Sequence, residues 1–238
     1  MARRAIAAIG AALLLAAPAL AGPRILEAAY DDATTRYPHG ALGDDEEWGT
    51  LRLTTEAGET RFELPARMVF EDLAPRLADL DGDGAPEVIT VESDRDRGAR
   101  LAVWGAAGRI AATEFLGRRY RWLAPVGAVD LDGDGRVELA YVETPHLRYR
   151  LKLVRLEAGV LVPVAEIEGV TNHRFGDSFL QGGITACPMP VLRLADPTWG
   201  LVRLVAWSGT GEGAGLAMAD LGPYRGPGSL DPARGCRP

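Results

Sequence analysis

Asp79-Leu80-Asp81-Gly82-Asp83-Gly84-Ala85-Pro86-Glu87 runs directly into Val88-Ile89-Thr90-Val91. A near copy begins 51 residues later: Asp130-Leu131-Asp132-Gly133-Asp134-Gly135-Arg136-Val137-Glu138, followed by Leu139-Ala140-Tyr141-Val142. Three carboxylates at alternate positions, with a fourth at the ninth, offer hard oxygen donors to one cation. Like charges packed this closely repel unless a cation sits among them. The glycines permit a turn tight enough to aim the carboxylates inward. The twelfth positions are Thr90 and Tyr141, which carry no carboxylate and lie in strand-forming runs, so this is not the helix-flanked calcium loop. It joins strand to strand. The expected ligands are Asp79, Asp81, Asp83, the Ala85 carbonyl and Glu87 in the first copy. Asp130, Asp132, Asp134, the Arg136 carbonyl and Glu138 are their counterparts. The expected cofactor is calcium, two ions per chain.

The period continues on both sides of the loops. Short apolar runs start at Leu51, Leu101, Leu151 and Leu201. A second run follows each after a glycine turn: Arg61-Phe62-Glu63-Leu64, Ile110-Ala111-Ala112-Thr113, Leu161-Val162-Pro163-Val164 and Leu216-Ala217-Met218. Leu73-Ala74-Pro75 recurs as Leu123-Ala124-Pro125. No helical periodicity appears after the first residues. The reading is all-β, with four units over 22–72, 73–123, 124–174 and 175–230. Each unit holds about four strands, which is the size of a propeller blade. A β-sandwich is the alternative, although a sandwich has no reason to keep such a period. Only the two middle units carry the acid loop. Ile25 to Tyr30 has strand composition and is expected to lie near the last blade and close the ring, since closure removes open sheet edges.

Asp-Leu-Asp-Gly-Asp-Gly, then two residues, a Glu and a strand, resembles the FG-GAP or VCBS-type repeat over residues 73–143. That resemblance implies the calcium-bearing β-propellers of integrin α-subunits and of many bacterial exported proteins. It also implies adhesion or ligand binding rather than a particular ligand. The family's rings commonly hold more blades than the four this chain has room for.

Composition narrows the setting. Arg3 and Arg4, an apolar stretch from Ala5 to Ala17 and the small-residue run Ala19-Leu20-Ala21 read as a signal peptide over 1–21. The apolar stretch is too short for a membrane span. The mature domain is then 22–238, periplasmic or secreted. A formal net charge of −7 argues against nucleic acid and anionic membranes as partners. Two cysteines in an exported chain, Cys187 and Cys236, are expected to form a disulfide.

Catalytic signals are weak. His39, His146 and His173 show no zinc spacing, there is no nucleophile elbow, and Asp44 to Glu47 reads as an exposed acidic loop. The chain is expected not to be an enzyme. Arg119, Arg121 and Trp122, with His173 and Arg174 of the next unit, form a candidate ligand face, because Arg and aromatic groups together suit carboxylate or sugar recognition. The function read here is a calcium-binding module for an unidentified protein or carbohydrate ligand, or a homodimer of open arcs if the ring does not close. A polysaccharide hydrolase or lyase with its site in the channel is the alternative. A clustered His, Glu and Tyr set would favour it.

Overall fold

Alternate residues of one strand point to opposite faces, and here the two faces of the middle strands feed different cores. The computed structural model describes residues 22–235. The expected signal peptide and Cys236 lie outside the described residues. The first unit holds β1 (Ile25–Thr34), β2 (Glu47–Thr55) and β3 (Gly58–Glu63), with β1 and β3 on either side of β2. A short strand, β4 (Met68–Phe70), pairs with β2 at Trp48 and with the second unit at Glu92.

The second unit is β5 (Arg76–Ala78), β6 (Glu87–Asp94), β7 (Gly98–Gly105) and β8 (Gly108–Ala112). The third is β9 (Leu123–Val129), β10 (Glu138–Glu143), β11 (Arg150–Glu157) and β12 (Val160–Glu168). The fourth is β13 (Gly183–Thr185), β14 (Val191–Ala195), β15 (Leu201–Ser208) and β16 (Gly215–Pro223). Each of these three is an antiparallel meander in chain order. The apolar runs starting at Leu51, Leu101, Leu151 and Leu201 fall within strands, as do most residues of the runs that follow them, whereas Leu73-Ala74-Pro75 lies between β4 and β5. The first unit departs from the expectation, because β4 does not complete its meander. It fuses units one and two into one eight-stranded sheet.

The units stack face to face in sequence order. Leu51, Leu53 and Phe70 share a core with Val88, Ala102 and Trp104. The alternate residues Ile89, Val91, Leu101 and Val103 turn the other way, onto Leu139 and Tyr141 of unit three. Ala140 and Val142 then face Leu192, Leu194 and Val205 of unit four. Strands β6 and β10 are consequently buried along their whole length. Of the buried charges on β6, Glu92 and Asp94 are paired, as burial demands. Arg100 and Arg109 hold Glu92 at 2.7 and 2.8 Å, and Arg67 and Arg97 hold Asp94 at 2.8 and 3.0 Å.

The ends of the stack meet through loops. Among the described residues no strand of unit one pairs with a strand of unit four. β1 pairs with β2 instead of lying beside the last unit. The described tail packs on unit four itself, where the Arg193 guanidinium donates to the Ser229 and Gly235 carbonyls at 2.9 Å. The connection 35–46 reaches across the stack, and Gly176 N–H donates to the Ala41 carbonyl at 3.0 Å. A Cβ at Gly43 would stand 2.8 Å from the Gly176 carbonyl oxygen, and its φ of +95° also favours glycine. Ala41 and Leu42 thereby join the core between units two and three. Among the described residues no helix is long and apolar enough to cross a membrane.

Candidate metal centre

Both acid loops stand at the same junction, between the first and second strands of consecutive units, and their hydrogen bonds match one for one. Asp79 accepts from Gly82 N–H at 2.8 Å and from Gly84 N–H at 3.0 Å. Asp130 accepts from Gly133 and Gly135 at 2.7 and 2.9 Å. Asp81 accepts from Asp83 N–H at 3.1 Å, and Asp132 from Asp134 N–H at 3.1 Å. The ninth-position carboxylates Glu87 and Glu138 reach back to Leu80 N–H and Leu131 N–H, each at 2.8 Å. These bonds shape the turn and hold the carboxylates facing one another, with both oxygens of Asp79 and of Asp130 already accepting one N–H each. Ligand oxygens of Asp79, Asp81 and Glu87 lie within 4.8 Å of one another, as do those of Asp130, Asp132 and Glu138. That donor set fits a hard divalent cation. A cavity of about 340 Å³ beside the first loop is lined by Asp81, Asp83, Ala85 and Glu87.

Burial pushes the Glu87 carboxyl up to about 7, and the charges of Asp81, Asp83 and Asp79 add to the rise. Burial also raises Glu138, but there the Arg155 guanidinium opposes it. The first loop thus carries uncompensated negative charge, and the second is partly neutralised.

The opposite strand ends hold a different constellation. The connections 35–46, 113–122, 144–149 and 169–182 gather there, and they bring all three histidines of the chain together. His39 pairs with the buried Glu71, which also accepts from Ser93. The His39 ring stacks on Tyr120 at 4.9 Å. His146 Nε2 lies 2.9 Å from His173 Nδ1, and His173 Nε2 lies 2.8 Å from the Asp177 carbonyl. A carbonyl only accepts, so His173 Nε2 carries a proton. With both rings neutral, His173 Nδ1 accepts from His146 Nε2–H. Burial, with the neighbouring His173 and His39, lowers His146 to about 4, and burial lowers His173 as well. Trp122 is the hub. Its Nε1–H donates to the Glu71 carbonyl at 2.9 Å, and its ring lies 5.0 Å from His173 and 6.1 Å from His146. Glu47 is nearly fully buried close to this cluster. Burial holds its carboxyl well above the ordinary range, with Glu71 adding to the effect.

The candidate ligand face separates into three parts. Trp122 and His173 do meet, but as buried packing residues. Arg119 lies over the Tyr120 ring at 4.5 Å, while Arg174 lies over Trp199 at 4.4 Å in unit four. Arg121 turns to a separate cleft that also holds Arg118 and Arg148. The histidine cluster was not legible as a set. Its members belong to connections far apart in the chain, and none stands at ligand spacing from another. The nearest hint was Trp122, a large aromatic directly before the repeated Leu-Ala-Pro lead-in.

Stacked antiparallel sheets with paired acid loops define a class, the all-β repeat protein with acidic strand-to-strand loops. Residues 79–141 match the family model of the FG-GAP-like repeat, from the first acid loop to the middle of β10. The chain therefore carries an FG-GAP-type repeat. No curated protein and no solved structure matches it.

Proposed function

We propose that this chain is an exported β-propeller-type binding or scaffolding module of four blades, stiffened by calcium, acting in the periplasm or outside the cell. The observation that carries the reading is the acid loop repeated bond for bond at one junction of two stacked units. The calcium is structural on this reading. The loop carboxylates would hold the ion and fix the turn between strands. Equilibrium dialysis of the mature chain should find calcium bound at a dissociation constant on the order of 10⁻⁴ to 10⁻³ M, as in extracellular modules. Magnesium at equal concentration should not displace it, because that ion demands a tighter octahedron. Asp81→Ala should abolish binding at the first loop. No bound calcium at several times that concentration would remove the reading.

On this reading a protein or carbohydrate ligand would bind between units two and three. A groove of about 800 Å³ between units two and three is lined by Phe115, Glu143, Arg148, Arg150 and Lys152 among others. The faces of units one and four that no strand covers would pair in a homodimer if the ring stays open. The Cys187–Cys236 disulfide belongs to the same proposal. The tail runs to within one residue of Cys236 against Arg193, on the strand that follows Cys187. Alkylation under denaturing conditions should label neither cysteine until reductant is added, and two labelled thiols in exported protein would count against it.

The rival reading, a polysaccharide hydrolase or lyase, is favoured by one observation, the convergence of His39, Glu71, Tyr120, His146 and His173. Against it, Glu71 and His173 are fully buried, so substrate has no direct path to them. The binding-module reading is therefore the one adopted.

A further inference from the structure

The two acid loops share a backbone and differ in one neighbour. Arg155 pairs with Glu138 across β10 and β11, so strand register fixes its place rather than the loop. It is 5% exposed. Its Nη2 lies 3.3 Å from Asp132 Oδ2, its Nη1 3.2 Å from Asp134 Oδ2 and its Nε 2.8 Å from Glu138 Oε1. One guanidinium thus touches three of the four carboxylates that would hold a cation. Arg136 adds a second positive group at 2.7 Å from Asp134. In the first loop the register differs in content. Val88 pairs with Trp104, so the next position outward, level with Glu87, is Gly105, which has no side chain. Among the described residues no Arg, Lys or His stands within ion-pair distance of Asp79, Asp81, Asp83 or Glu87.

We propose that Arg155 is a built-in counter-cation of the second loop, so that the chain takes one calcium ion, at Asp79 to Glu87. This rests on the reading of the loops as calcium sites. The guanidinium is always charged, and its planar fork matches carboxylate oxygens. A divalent ion entering the second loop would compete for the same oxygens and sit beside a fixed positive charge that the strand pairing cannot move away. The second loop needs no ion for its shape, because Arg155 already offsets the repulsion that a metal offsets in the first. The repeat has in effect converted one of its metal sites into an ion pair.

The test counts bound calcium on the full mature chain by calorimetry and by native mass spectrometry. The wild type should bind one ion, Asp81→Ala none, and Asp132→Ala still one. Arg155→Met keeps the apolar stem and should bind two. Two ions in the wild type, or one lost on Asp132→Ala, would overturn the proposal while leaving the calcium reading intact. A folded Arg155→Met protein that still binds one ion would overturn it too. No ion in any of the four proteins would remove the calcium reading itself. Should Arg155→Met fail to fold, the Asp81→Ala and Asp132→Ala pair still decides, since both side chains lie on loops away from the core.

Discussion

Saturating calcium is expected to raise the melting temperature of the mature chain by about 5–10 °C. An ion held by the folded loop and not by the unfolded chain adds about 2.7 kcal/mol per site at a hundred times its dissociation constant. A domain of this size shifts roughly 2–4 °C per kcal/mol. The loop is well prepared for the ion. Asp79 is held by two backbone N–H groups and Glu87 by a third, so little ordering remains to be done on binding. Relief of repulsion among four carboxylates works in the same direction. Scanning fluorimetry with calcium and with excess chelator measures the difference, and Asp81→Ala should show none. Equal melting temperatures in both buffers would mean that the acid loop holds no structural ion.

Trp122→Ala should be the most damaging single substitution at the opposite strand ends, at about 4 kcal/mol. Truncating a fully buried tryptophan costs about 3–5 kcal/mol through lost burial and the cavity left behind. Here the same change also strips the buried Glu71 carbonyl of its donor, and an unsatisfied buried group adds to the loss. The indole packs against the rings of both His146 and His173, so its removal should loosen connections from several units at once. Trp122→Phe keeps most of the volume and loses the N–H, and should cost closer to 1–2 kcal/mol. Urea unfolding should show lower midpoints with an unchanged slope. A midpoint for Trp122→Ala within error of the wild type would deny the hub role.

Much of this fold was legible because two signals coincide. The short, near-continuous apolar runs Val88-Ile89-Thr90-Val91 and Leu139-Ala140-Tyr141-Val142 specify strands buried on both faces. The recurrence of such runs about every 51 residues specifies stacked copies. The acid loops were legible for a similar reason, since their geometry is local and every ligand lies within nine residues. What lay beyond reach depended on contacts distant in the chain. Met68–Phe70 reads as a short apolar stretch, and nothing in it announces that both edges are used. The connection 35–46 reads as an acidic surface loop, yet Tyr37, Ala41 and Leu42 are buried. Its apolar residues are too few to show a period, and their partners lie in three other units. Arg155 could not be singled out either, because its role follows from standing across from Glu138, and register is set by pairing rather than by spacing.

The shared strand β4 has a consequence for how such a chain can grow or shrink. Units three and four are each separable in principle, because every strand they contain pairs only within the unit. A cut after β8 or after β12 severs loops and a packed face but no ladder. No equivalent cut exists earlier, because removing residues up to 72 would take β4 away from β6, and removing residues from 73 onward would leave β4 with one bare edge. The smallest portable piece at the amino end is therefore the eight-stranded double unit, ending near residue 113, whereas the carboxyl half is built of two single four-stranded sheets. Gain or loss of a module is topologically free only on that side, and a designer lengthening this scaffold would insert copies of 123–168 there.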